Sequence, residues 1–290
     1  MQQSEMKQIE LLRSVIYQII GENRLLLDAI EFVTDNSNYN NVEIDIVFHR
    51  DCKGSSDDGK VIMGIPDIVD SYSIAKELFP NLPGNTNYII ETKYSDFGNK
   101  NNIRDKVCVW IADAEKELVS NELGKSYFFQ TEDFSIYDEL AIYALAYSLC
   151  HELGHVLHDR YIPLNEFNTR ELAADDFAFE AIKHIASNNN SDSRLKGAII
   201  GIAQMLLHRS FQEEVDDIKH PHSIERLYAL LDFWGIEKDS PYWDLAYNIV
   251  IIWCSRNEKP VTWERTSSIS PKDKFIDAYV HFRKNPKQIE

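Results

Sequence analysis

Apolar positions recur at helical spacing over Glu5–Ile20, where the run stops at Gly21, and again over Glu22–Val33, predicting two helices. The cluster Asp35–Asn41 (DNSNYNN) reads as a loop. Strict alternation over Val42–Phe48 (VEIDIVF) then predicts a strand with one buried face, and Val61–Ile65, Tyr88–Tyr94 and Lys106–Ala112 are further strands by the same reasoning. A helix is expected over Ile68–Leu78, ended by Pro80, and Asp51–Lys60 reads as a polar loop rich in Ser, Asp and Gly. From Tyr137 onward helical spacing takes over, with breaks at Ile162–Asn168, Ser187–Ser193, Asp217–His220 and Gly235–Pro241. Strands first and helices after predict an α+β protein with a small N-terminal sheet and a mostly helical C-terminal half. Two arrangements fit: an N-terminal α/β region over residues 1–105 followed by a domain over 106–290, or one α+β domain with an N-terminal helical extension. No internal repeat is present.

Composition narrows the function classes. The 290 residues carry 30 Lys+Arg against 47 Asp+Glu, a formal charge of −17 spread over both halves. No basic stripe is available to neutralise a phosphate backbone, so nucleic acid is not an expected partner. The N-terminus MQQSEMKQIE lacks the basic and apolar regions of a secretory signal. The longest apolar stretches, around Ala198–Leu207 and Leu245–Cys254, fall short of the roughly 20 residues of a spanning helix, so no membrane partner is expected. Cys52, Cys108, Cys150 and Cys254 form no CxxC pair, which argues against finger-type zinc and a disulfide framework. Reduced thiols in a cytoplasmic protein are the expectation.

The chemistry concentrates in the predicted helix Tyr137–Arg160, which contains His151-Glu152-Leu153-Gly154-His155. Histidines four apart project from one face of a helix, one turn above the other, and can reach one zinc ion at about 2.0–2.1 Å. Glu152, beside His151, is placed to take a proton from a water that zinc has made acidic, the role of a general base in peptide hydrolysis. A pair of hydrogen-bonded core histidines is the alternative. The apolar run Leu140–Leu149 makes this helix a buried one, where the charges of HELGH need a partner.

A third ligand is needed. HExxHxxGxxH would require Gly at 158 and His at 161, but His158 and Tyr161 stand there. The chain breaks at Pro163 and re-enters a helix carrying Glu171-Leu172-Ala173-Ala174-Asp175. Glu171 can return to the histidines from this second helix. Asp175, one turn along on a stripe with Ala174, Ala178 and Ile182, is expected to accept the free N–H of a ligand histidine, His151. Asp176 belongs to the solvated face. Asn168-Thr169-Arg170-Glu171 also fits a capping box, in which Glu171 only returns to the Asn168 backbone; in that case Glu166 or Asp175 would be the third ligand.

Downstream, His220-Pro221-His222-Ser223-Ile224-Glu225-Arg226 opens a helix to Trp234, with Pro221 suited to its first turn. His220 or His222 could donate to the oxyanion of an acyl transition state. Read by residue chemistry alone, the segment is a surface loop with a Glu225–Arg226 edge facing solvent.

HELGH, ELAAD and HPxxxER in this order resemble the glutamate-third-ligand zinc peptidases (gluzincins), and within them the HtpX and prenyl-protease group. At this length, the chain is most similar to the Lit family of phage-exclusion peptidases; HELGHVLH and ELAADDFAFE also resemble the ImmA/IrrE-type peptidases. The resemblance covers Tyr137 to Trp234. It implies a zincin-like core and a zinc-dependent intracellular endopeptidase, with His151, His155 and Glu171 as zinc ligands, Glu152 and His220 as catalytic residues, and Asp175 and Arg226 in support. It implies a protein substrate, an activating peptide or protein as a further partner, and residues 1–105 as a recognition region. The rival expectations are a regulatory peptidase that cuts a repressor and a zinc-binding interaction protein with little turnover. The strand Lys106–Ala112 is expected to pair with extended substrate at a sheet edge.

Overall fold

The computed structural model describes residues 16–17, 19–20, 27–28, 30–31, 42–47, 55–57, 60–82, 107–112, 135–158, 161–163, 165–184, 191–217, 220–259 and 270–284. The chain divides into two compact units, Met1–Ala198 and Ile199–Glu290. Described residues within both predicted N-terminal helices are helical, whereas the predicted strand Tyr88–Tyr94 lies outside the described residues.

In the first unit, β1 (Val42–Val47), β2 (Ser55–Asp57), β3 (Lys60–Gly64) and β4 (Val107–Ala112) form a mixed sheet in the order β2-β3-β1-β4. β1 is central and runs parallel to both β3 and β4, with Ile44 opposite Val61 on one side and Val109 on the other. Ile44 and Val61 are fully buried, as the alternating pattern requires of an inward face. Strands from either side of residue 105 therefore share one sheet.

The expected polar loop Asp51–Lys60 is corrected in part: β2 lies within it and pairs antiparallel with β3, Asp57 opposite Lys60. Only Asp58 and Gly59 separate the paired ends, and an Asp-Gly pair at that spacing is a hairpin signal. Helix α1 (Ile65–Leu78) starts directly from β3, three residues earlier than expected, with Pro66 in its first turn, where a missing N–H costs nothing.

Helix α2 (Ile136–His158) is the core of the unit. Ser135 and Asp138 cap it reciprocally: the Ser135 N–H donates to Asp138 Oδ2 at 2.8 Å, and the Asp138 N–H to Ser135 Oγ at 3.3 Å. Buried residues run almost without interruption from Asp138 to Gly154, because α1, the sheet and α3 (Phe167–Lys183) all pack on this helix. An 18-residue window of α2 is apolar enough to cross a membrane by hydropathy, which the sequence reading had not singled out, and 83% of it is buried inside the chain. Its apolarity serves packing against neighbouring elements.

Helix α4 (Ser191–Leu207) begins inside the expected break at 187–193. At its Gly197 a Cβ would stand 2.2 Å from the Tyr143 Cβ of α2, so only glycine fits. The second unit holds α5 (Phe211–Asp216), α6 (Ser223–Phe233), α7 (Pro241–Arg256) and α8 (Pro271–Lys284). α7 packs on α6 and α8, around Trp243, Trp253 and Phe275, all buried. The fold is thus helices with one four-stranded sheet among the described residues.

Candidate metal centre

Residues 159–166 connect α2 to α3, a span short enough that α3 returns along α2 as a helical hairpin. The return is close. A Cβ on Gly154 would lie 2.8 Å from the Ala174 Cα, 3.1 Å from its carbonyl oxygen and 3.2 Å from its Cβ, so the two backbones meet at this pair. Small residues at the crossing bring the next turns of each helix together: His151 and His155 on α2, Glu171 and Asp175 on α3.

His151 Nε2 lies 3.2 Å from His155 Nε2 and 3.4 Å from Glu171 Oε2, and His155 Nε2 lies 3.3 Å from Glu171 Oε1. The three side chains are placed to hold a metal ion. A tetrahedral zinc with bonds of about 2.0–2.1 Å sets its ligand atoms roughly 3.3–3.4 Å apart. The two Nε2 atoms stand close to that separation, and each faces its own Glu171 oxygen at a similar distance. The donor set fits zinc chemically, two imidazoles and a carboxylate being an ordinary three-ligand set that keeps a coordination position open. His151 is the most enclosed, while His155 and Glu171 keep 11% and 12% of their side chains exposed, so the cluster opens on their side.

The capping-box reading of Glu171 is overturned. α3 begins at Phe167, with Glu166 at the N-cap making no side-chain cap, and Asn168 is already inside the helix. A turn closed by the Glu166 N–H on the Pro163 carbonyl at 2.9 Å sets the start instead. Glu171 is turned to the histidines. Burial pushes its carboxyl up, but His151 and His155 outweigh burial and hold it well below the usual carboxylate range, ionised as a ligand must be.

Asp175 Oδ1 lies 3.0 Å from His151 Nδ1, and the Tyr147 hydroxyl donates to the same oxygen at 2.9 Å. Asp175 is buried with Ala174, Ala178 and Ile182, and Asp176 is exposed. Glu152 is buried beside His151 on α2. Tyr147, Gly154 and Ala174 were not foreseen as contributors. Tyr147 could have been found as the residue one turn before His151 on the stripe 147–151–155, and the helix crossing from the small residues in HELGH and ELAAD.

His220, His222 and Arg226 belong to the second unit. His220 Nδ1 lies 2.8 Å from Asp217 Oδ2, and Arg209 Nη1 pairs with Asp217 Oδ2 at 3.0 Å and Glu214 Oε2 at 3.2 Å. The buried Glu214 carboxylate accepts from the Ser223 N–H at the start of α6. His222 is the N-cap and Pro221 precedes the helix, a correction to its expected place in the first turn. Arg226 is buried, with Nη1 3.2 Å from Met205 Sδ, which corrects the solvent-facing edge expected of it. Among the described residues only His151, His155 and Glu171 form a metal-competent group.

Residues 103–246 match the family model of Peptidase U49. The match runs from just before β4 into α7 and so contains both halves of the His-His-Glu cluster. It supports a peptidase family for this chain, and with it a hydrolase. No curated protein and no solved structure matches the chain.

Proposed function

We propose that the chain is a zinc-dependent endopeptidase of the gluzincin kind, acting in the cytoplasm on a protein substrate. The observation that carries this reading is the convergence of His151 Nε2, His155 Nε2 and the Glu171 carboxylate on one point, placed to hold a metal ion. A bound zinc ion supplies Lewis acidity, polarising a peptide carbonyl and making a water acidic near neutral pH. Glu152 takes the proton of the attacking water on its carboxylate and delivers it to the amine nitrogen as the peptide bond breaks. Asp175 orients His151 through Nδ1. β4, terminal in the strand order among the described residues, is the sheet edge on which an extended substrate would add as a further strand. Donation to the oxyanion by His220, with Arg226 in support, is carried by the HPxxxER resemblance. The likeness to the Lit family supports a role in phage exclusion, with residues 1–105 recognising the target or an activating partner.

The test compares protein N-termini in cells expressing the wild type and Glu152→Gln. New N-termini confined to the wild type are expected, from a chain that purifies with zinc. A wild type that holds zinc and generates no new N-termini would turn the reading to a zinc-binding interaction protein.

A further inference from the structure

Tyr147 precedes His151 by one turn of α2, and Asp175 Oδ1 receives both its hydroxyl at 2.9 Å and His151 Nδ1 at 3.0 Å. The tyrosine ring is held by packing. It stacks on Phe179, one turn after Asp175 on α3, with centroids 6.2 Å apart and planes 16° from parallel, and both rings are buried. A buried ring fixed in this way gives its hydroxyl a fixed position. We propose that Tyr147 is a positioning residue for the metal centre: it pins the Asp175 carboxylate so that Oδ1 accepts from His151 Nδ1–H and His151 Nε2 is left as the lone pair aimed at the metal. This rests on the reading of His151, His155 and Glu171 as metal ligands.

The physical case has two parts. A carboxylate with one donor can turn about its terminal bond and offer either oxygen. A second donor on the same oxygen removes that freedom, and with Oδ1 fixed as an acceptor a neutral His151 must carry its proton on Nδ1. The second part is mechanical. Tyr147 and His151 sit on successive turns of α2, so two bonds from one helix grip one carboxylate of the other. Glu171 lies one turn before Asp175 on α3, and fixing Asp175 against α2 therefore also fixes where Glu171 meets the histidines.

The competing account is that the hydroxyl merely satisfies a buried carboxylate. The two separate in a double-mutant cycle on the full chain, reading zinc affinity by chelator competition and the melting temperature of the metal-free protein for wild type, Tyr147→Phe, Asp175→Ala and the double variant. Tyr147→Phe is expected to weaken zinc binding about tenfold. In the Asp175→Ala background it is expected to weaken it no further. An unchanged affinity in Tyr147→Phe, or an equal loss in both backgrounds, overturns the proposal. Should Tyr147→Phe fail to fold, the wild type still decides: in the zinc-loaded protein the His151 Nδ1 proton is expected to exchange slowly with water in NMR spectra, and rapid exchange overturns the proposal. A wild type that binds no zinc is a separate result and removes the metal reading itself.

Discussion

Gly154 on α2 and Ala174 on α3 meet backbone to backbone, with room for a Cβ neither toward the Ala174 Cα at 2.8 Å nor toward its carbonyl at 3.1 Å. Each stands one turn or less from a metal-competent side chain: Gly154 next to His155, Ala174 three residues from Glu171. The distance from Glu171 to the two histidines is thus set by how closely the two helices can cross.

Gly154→Ala should show this. Alanine suits a helix better than glycine by about 1 kcal/mol. The added methyl nevertheless meets backbone, which cannot rotate aside, and overpacking of that kind costs about 1–3 kcal/mol. The expected outcome is a chain no more stable than wild type in urea, with Glu171 displaced and zinc affinity reduced. Wild-type zinc affinity with a gain in stability would mean that the helices stand further apart than described.

The depressed Glu171 carboxyl gives a pH test in the metal-free protein. A carboxyl lower in the folded than in the unfolded chain stabilises the fold above its unfolded value, about 4.3, and that stabilisation disappears as pH falls through the folded value. The stability advantage of wild type over Glu171→Gln is therefore expected to be present above about pH 5 and to decline only as pH falls well below the usual carboxylate range. Urea titrations at stepped pH measure it, and an advantage already gone by pH 5 would contradict the direction of the shift.

How much of this was legible in the sequence depends on the range over which each feature is determined. HELGH is read from periodicity alone, since residues four apart share a helix face wherever the helix lies. ELAAD is nearly as local, and the stripe through Ala174, Asp175 and Ala178 follows from its own burial pattern. The start of α3 was misread, because the Pro163–Glu166 turn fixes it and Asn168 only happens to precede a glutamate by three. The β2–β3 hairpin was passed over because its polar residues outweighed the Asp-Gly signal. Tyr147 reads as one more apolar residue on a core helix until α3 is laid against it. Burial of Arg226 is likewise a tertiary fact, invisible in a polar heptapeptide.

The two described cysteine side chains offer a check on the cores. Cys150 and Cys254 are free and buried, and burial raises both thiols, that of Cys254 to about 12. Thiolate is the reactive form, so at pH 8 both should resist iodoacetamide in the native chain and react fully in denaturant. Peptide mapping of the alkylated protein reads each site separately. Rapid native labelling at Cys150 would mean that α2 is less enclosed than its neighbours make it.

Glu152→Gln separates binding from turnover. The amide is nearly isosteric, so α2 keeps its packing and His151, His155 and Glu171 keep their spacing. Zinc content should match wild type. The amide has no basic oxygen to take the proton of an attacking water, and loss of a positioned general base costs about 10²-fold or more in rate. Wild-type zinc content with cleavage reduced at least a hundredfold is the expected pair of results, measured on whatever protein the wild type is found to cut. The KM should change little, because Glu152 is assigned to proton transfer and not to holding the substrate. Full activity in Glu152→Gln would mean that another group activates the water.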